Sequence, residues 1–315
     1  MKIAILDDWL NCAKQSANWD NLGNEVQVDF FEDTVNEKEL IQRLLPYQII
    51  CLMRERTDFN AKLMEQLPNL QGIVTSGMRN AAIDLAASKA QGIVVSGTTS
   101  PGHATAELAF ILVGAMARAL LPNAYSMQNG GWQTHLGRDL RSAKLGILGL
   151  GRLGAEMAHY GKAFGMNVQA WSQNLTNSRC KEIEVNYADK ETFFKTSDFI
   201  SIHLKLSDRV RHLIGVNELN MMQTSSYLVN TSRAAIIDMN ALTTALKTQQ
   251  IAGAAIDVYD LEPLPIHDSV RKIPNLLMTP HIGYVTRETM EVFYGQTVEA
   301  IQAIISGNPI RQLNA

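Results

Sequence analysis

The feature that most constrains this chain is a glycine motif near the middle of its length. Lys144-Leu145-Gly146-Ile147-Leu148, an apolar run that reads as a β-strand, passes directly into Gly149-Leu150-Gly151-Arg152-Leu153-Gly154, and a helical pattern follows to about Phe164. Gly149 permits a tight turn, Gly151 lets backbone amides approach a diphosphate, and Gly154 lets the helix pack close to the strand. The helix start, opened by Arg152 and Leu153, then favours an anion, and Arg152 adds a positive side chain there. Strand, motif, helix and a following strand together predict a dinucleotide-binding unit.

About 20 residues beyond such a motif, an acidic residue at the end of the second strand usually bonds the adenosine ribose hydroxyls. Here Ala170-Trp171-Ser172-Gln173-Asn174 places Ser172 at that point, and no Arg follows until Arg179, too far along for sequence spacing to assign it. NAD and NADP both remain open. The absence of a repelling carboxylate favours acceptance of NADP, although only a positive partner would select it.

Around this centre the chain alternates strands and helices, which predicts parallel, doubly wound sheets. Ile3–Leu6, Val26–Phe31, Ile49–Met53, Gly72–Thr75 and Ile93–Ser96 read as strands of a first lobe, with helices over Glu37–Leu45, Asn60–Gln66 and Ala81–Gln91. After Ser100-Pro101-Gly102 one long apolar helix is expected from about His103 to Leu121. Further strands are expected at Lys144–Leu148, Val168–Trp171, Phe199–Ile202, Tyr227–Asn230, Ala254–Ile256 and Leu276–Met278, and a closing helix over Arg287–Ile305. The expected fold is α/β with two such lobes: a flavodoxin-like substrate domain, residues 1–100 and 286–315, and an inserted Rossmann dinucleotide-binding domain, residues 101–285.

Charge excludes several partners. Lys and Arg number 28 against 31 Asp and Glu, a net −3 that gives no electrostatic reason to expect nucleic acid or an anionic membrane. The longest charge-free apolar run, Leu108 to Ala117, is about half of a bilayer span. The three cysteines, Cys12, Cys51 and Cys180, form no C-x-x-C pair and have no histidine at zinc spacing, so reduced thiols in a cytoplasmic protein and no metal site are expected.

Three residues fall in loops after predicted strands of the second lobe, where doubly wound sheets place ligands: Arg233 in Asn230-Thr231-Ser232-Arg233-Ala234, Glu262 in Asp257-Val258-Tyr259-Asp260-Leu261-Glu262-Pro263, and His281 in Thr279-Pro280-His281-Ile282-Gly283. A planar guanidinium can bond the carboxylate and carbonyl of a 2-oxo acid together. Histidine can hand a proton to a developing alkoxide near neutral pH, and a carboxylate on its far nitrogen holds the tautomer and favours the protonated ring.

With its glycine fingerprint, N-T-S-R loop, D-V-x-x-x-E-P loop and P-H-I-G loop in this order, the sequence resembles the D-2-hydroxyacid dehydrogenase family over nearly its whole length. The resemblance implies hydride exchange between NAD(P)H and a small 2-oxo or D-2-hydroxy acid, with Arg233, Glu262 and His281 as the catalytic trio. It implies that Asp257 bonds the nicotinamide carboxamide, that Thr231 lies near the same ring, and that His203 is on the cofactor side, although Lys205 stands where relatives carry proline. In Ser76-Gly77-Met78-Arg79-Asn80 it places the substrate-carboxylate loop, with the amides of Met78 and Arg79 holding the anion, and it points Arg54 to the substrate; Arg79 and Tyr284 replace the smaller residues common in relatives. The resemblance also implies a homodimer paired through the cofactor lobe, with the apolar segment Leu108–Leu121 and its flank as the surface. The rival expectation is an NAD(H)-sensing, corepressor-like binding protein with little turnover. Formate oxidation needs no proton donor, so His281 with Glu262 argues against that chemistry.

Overall fold

A computed structural model describes all 315 residues. The chain divides into two compact units, Met1–Pro101 with Val285–Ala315, and Gly102–Tyr284. Both are α/β with a fully parallel sheet.

The first unit carries β1 (Lys2–Ile5), β2 (Gln27–Phe30), β3 (Ile49–Leu52), β4 (Gly72–Thr75) and β5 (Val94–Gly97), in the order β2-β1-β3-β4-β5. This is the flavodoxin-like doubly wound order. Strands β3 and β4 are buried at every position, as expected for parallel strands covered on both faces. The connecting helices start where short polar side chains cap them: Asn36, Asn60 and Asp84 each accept the N–H three residues on, opening Glu37–Leu44, Ala61–Glu65 and Leu85–Ala90. The helix Arg287–Ile305 returns the chain to this sheet, where Ile304 packs beside Gly72. Beyond it, the Asn314 side chain accepts the Val95 N–H and donates to Ser88 Oγ and the Ile93 carbonyl, tying the last residues to β5.

The second unit carries β6 (Lys144–Leu148), β7 (Asn167–Trp171), β8 (Asn186–Tyr187), β9 (Phe199–Ile202), β10 (Tyr227–Asn230), β11 (Gly253–Ile256) and β12 (Leu276–Met278), in the order β12-β11-β10-β9-β6-β7-β8. From β6 the chain winds outward through β7 and β8, then crosses to β9 and winds the other way. The topological switch point therefore lies between β6 and β9, at whose carboxyl ends open α/β sheets bind ligands.

One expectation is corrected. The apolar helix does not run unbroken to Leu121: it spans Ala104–Ala117, and a second helix, Leu120–Gln128, leaves it at 65° through Ala119 at φ +43°. Pro122 explains the break, because in a continuous helix it would have no N–H for the Arg118 carbonyl and its ring would strike that oxygen; in the first turn of a new helix both faults vanish. Within Leu108–Leu121 some apolar side chains are buried and others, Ile111, Leu120 and Leu121, are exposed. Ala109, Leu112, Val113 and Ala117 belong to the unit's own core, where the first helix packs on β10, β11 and the helix Arg152–Ala163. The second helix and the loop after it, the flank of that segment, also expose apolar side chains: Tyr125 is 70% exposed, Trp132 71% and Leu136 99%. No single helix is long and apolar enough to cross a membrane.

Candidate active site

The glycine loop sits at the carboxyl end of β6. Gly149 has φ +99°, and a Cβ there would lie 2.7 Å from Leu204 and 2.9 Å from the His203 carbonyl oxygen, so the close approach of the β6 and β9 ends requires glycine. A Cβ on Gly154 would run into the Gly149 carbonyl. At Gly151 no atom comes within 4 Å of the Cβ position, and no side chain caps the helix that starts beside it. Open space beside the start of a helix that no side chain caps is what a diphosphate needs, so these residues fit a dinucleotide. The Arg152 guanidinium itself lies against Gly102, whose missing side chain (φ +81°) leaves room for it.

Ser172 follows β7 next to this loop, since the Trp171 carbonyl accepts the Gly149 N–H at 3.0 Å. The His203 ring Nε2 lies 2.8 Å from the Ser201 hydroxyl, and burial pushes its pKa down to about 4, so it is neutral at physiological pH. The Thr231 hydroxyl, after β10, is buried with no hydrogen-bond partner in the protein. An orphaned polar atom of this kind calls for a ligand or water, and it stands on the same sheet edge as the glycine loop.

Loops after β10, β11 and β12 bring Arg233, Glu262 and His281 to that edge. His281 Nδ1 lies 2.5 Å from Glu262 Oε2. Burial raises the Glu262 pKa, but the His281 ring, the Tyr259 N–H and the nearby Arg233 charge together hold it below the ordinary carboxylate value. Glutamate is thus ionised and can only accept, which fixes a proton on Nδ1; Nε2 has no partner in the chain. Arg233 Nη1 donates to the Ser232 carbonyl, while Asn230 braces the turn by accepting the Ser232 N–H and donating to the Arg233 carbonyl.

Sequence reasoning missed how this pair is held. Tyr259 donates its N–H to Glu262 Oε1 and its hydroxyl to the Thr279 carbonyl, so one residue braces both partners. Asp257, expected on the nicotinamide carboxamide, is fully buried, and its carboxylate is occupied within the protein. It accepts the Thr279 hydroxyl at 2.6 Å and the Ile282 and Gly283 N–H groups at 2.8 Å each. These bonds clamp both sides of His281, whose backbone adopts a left-handed φ of +54° that a free chain avoids. The only sequence signal was Asp257 and Tyr259 themselves inside the D-V-x-x-x-E-P loop. The Tyr284 ring meets the His281 ring edge to face at 5.6 Å.

In the first unit, Arg54, Met78 and Arg79 occupy the loops after β3 and β4. The Arg54 backbone is pinned by its N–H to Ser76 Oγ and by its carbonyl from Asn80 Nδ2, and its guanidinium lies across Gly77, which has φ +90° and no side chain in the way. The Met78 and Arg79 side chains are exposed, and neither residue's N–H has a partner in the protein. Two open amides beside a glycine and a guanidinium can hold a carboxylate.

Comparison with known proteins agrees with this architecture. Residues 110–283 match the model of the D-isomer specific 2-hydroxyacid dehydrogenase, NAD binding domain. The chain is 36% identical over 255 residues to a glyoxylate reductase of Thermococcus litoralis, covering 77% of this chain and 76% of that one. It is 31% identical over 296 residues to a glycerate dehydrogenase of Methylorubrum extorquens, 89% of each chain. A crystal structure of a phosphoglycerate oxidoreductase from Vibrio cholerae superposes with a TM-score of 0.92 at 34% identity, covering 98% of this chain and 99% of the other. Motifs, sheet order and relatives converge: the chain belongs to the D-isomer specific 2-hydroxyacid dehydrogenase family.

Proposed function

We propose that this protein reduces a small 2-oxo acid to the D-2-hydroxy acid, and catalyses the reverse oxidation, with His281 as acid and base, Glu262 as its partner and Arg233 as the substrate clamp. A bound nicotinamide supplies or takes up the hydride. Arg233 forks onto the substrate's carboxylate and carbonyl and so fixes the carbon that changes oxidation state. As the carbonyl oxygen gains charge, His281 Nε2 gives it a proton, and in oxidation it takes one back. Glu262 keeps Nδ1 protonated and stabilises the ring's positive charge, while Asp257 and Tyr259 hold the loop that carries it.

The observation that supports this reading most is the 2.5 Å His281–Glu262 pair beside Arg233, with Nε2 left for a substrate. Gly149, Gly151, Arg152, Leu153, Gly154, Ser172, His203 and Thr231 are assigned to the nucleotide, and Arg54, Met78 and Arg79 to the substrate. Both NAD(H) and NADP(H) are accepted on this reading, because Ser172 repels neither. The exposed apolar side chains of Leu120, Tyr125, Trp132 and Leu136 are assigned to the interface of a homodimer. Three free cysteines suit a cytoplasmic setting. The nicotinamide-sensing alternative has no counterpart among the relatives described above, which are named as reductases, dehydrogenases or oxidoreductases.

The test is loss of reduced-nicotinamide absorbance when the protein meets NADH or NADPH and glyoxylate, hydroxypyruvate, pyruvate or phenylpyruvate. Turnover with at least one is expected. Nucleotide binding without turnover on any would overturn the reading.

A further inference from the structure

We propose that Arg179 is the residue by which this chain recognises the 2′-phosphate of NADP(H), a specificity determinant that rests on the nucleotide-binding reading above. In a sheet of this order the adenosine ribose lies at the end of the second strand, next to the glycine loop. That strand is β7, and Ser172, the residue that follows it, cannot form the two carboxylate bonds that select an unphosphorylated ribose. Selection of the phosphate needs a cation at the same place.

Sequence spacing hides that cation and the fold supplies it. The helix Asn177–Ile183 starts where the Thr176 hydroxyl accepts the Arg179 N–H at 3.2 Å. Long helical side chains lean toward the amino terminus of their helix, which turns Arg179 back toward the sheet. Its Nε donates to the Leu150 carbonyl, inside the glycine motif, at 3.3 Å. Leu150 follows Gly149, whose N–H is bonded to Trp171, so Arg179 and Ser172 border the same loop.

The guanidinium is anchored without being used up. Nη1 pairs with Glu182 at 2.6 Å, Nη2 has no partner in the protein, and about a third of the side chain is exposed. A planar fork anchored through Nε and one Nη can present its remaining donors to phosphate oxygens with little further ordering. Glu182 limits the effect, since its charge opposes the phosphate while holding the arginine in place. The outcome is preference for NADP(H), with NAD(H) still bound.

Calorimetric titration of the wild-type chain and of Arg179→Gln with NADP⁺, NAD⁺ and the fragments 2′,5′-ADP and 5′-AMP tests this without relying on turnover. In the variant, affinity for NADP⁺ and 2′,5′-ADP is expected to fall about tenfold or more, with NAD⁺ and 5′-AMP changed less than about twofold. Glu182→Gln should tighten only the two ligands that carry a 2′-phosphate, NADP⁺ and 2′,5′-ADP. Equal losses for both classes in Arg179→Gln, or no binding of NADP⁺ by the wild type while NAD⁺ binds, would overturn the proposal and leave the dehydrogenase reading standing. Failure of every nucleotide to bind would overturn both.

Discussion

At the scale of single residues, the site is organised around fixing one proton. Glu262 is ionised because His281, the Tyr259 N–H and Arg233 outweigh its burial, so its charge stays opposite Nδ1 through the neutral range. On the proposed mechanism the ring gives its proton to substrate, and the carboxylate stabilises the charge that the ring carries. Glu262→Gln removes that charge and keeps the shape; kcat for reduction should therefore fall, by about 10–100-fold, with nucleotide affinity unchanged. A wild-type kcat in steady-state turnover by Glu262→Gln would defeat the role assigned to Glu262. The residue types and their loops were legible in sequence, because an arginine, a glutamate and a histidine each follow an apolar run that ends in a turn. What holds them was not. The bonds from Asp257 to Thr279, Ile282 and Gly283 span 22 to 26 positions, and the reach of Arg179 to Leu150 spans 29. Spacing rules carry no information over such distances once the chain has crossed between strands.

At the scale of elements, buried parallel strands were read to within a residue or two because they are continuous apolar runs bounded by polar turns, as at Tyr227–Asn230 and Phe199–Ile202. The two-residue β8 left no such signature: Asn186 and Tyr187 are exposed and pair only at the sheet edge. The helix break at Ala119 was missed because the apolar pattern continues through it, while Pro122 forbids the hydrogen bond that continuity needs. The glycine motif is the element whose geometry admits least change. Gly154→Ala places a methyl against the Gly149 carbonyl, so thermal unfolding should show a loss of about 1–3 kcal/mol, and nucleotide titration should show weakened binding. Binding and melting temperature both unaltered would mean that the strand and helix are not packed through this glycine.

At the scale of the whole molecule, each unit carries its functional loops at the carboxyl edge of its own sheet, and the nucleotide unit is inserted between the fifth strand and the last helix of the other. The exposed apolar side chains around Trp132 and Leu136 are costly on a monomer, so mass photometry should find the chain at twice its 34.9 kDa mass and Leu136→Asp shifted toward that single mass. A wild-type monomer at working concentration would remove the dimer from the account. The central claim is that His281 moves the proton while the rest of the second unit binds nucleotide, and the most direct measurement is turnover by His281→Gln on the best substrate of the panel, with nucleotide affinity measured on the same preparation. The expected result is a rate lowered by about 10²–10⁴-fold with nucleotide affinity unchanged; a variant that retains wild-type turnover would contradict the claim.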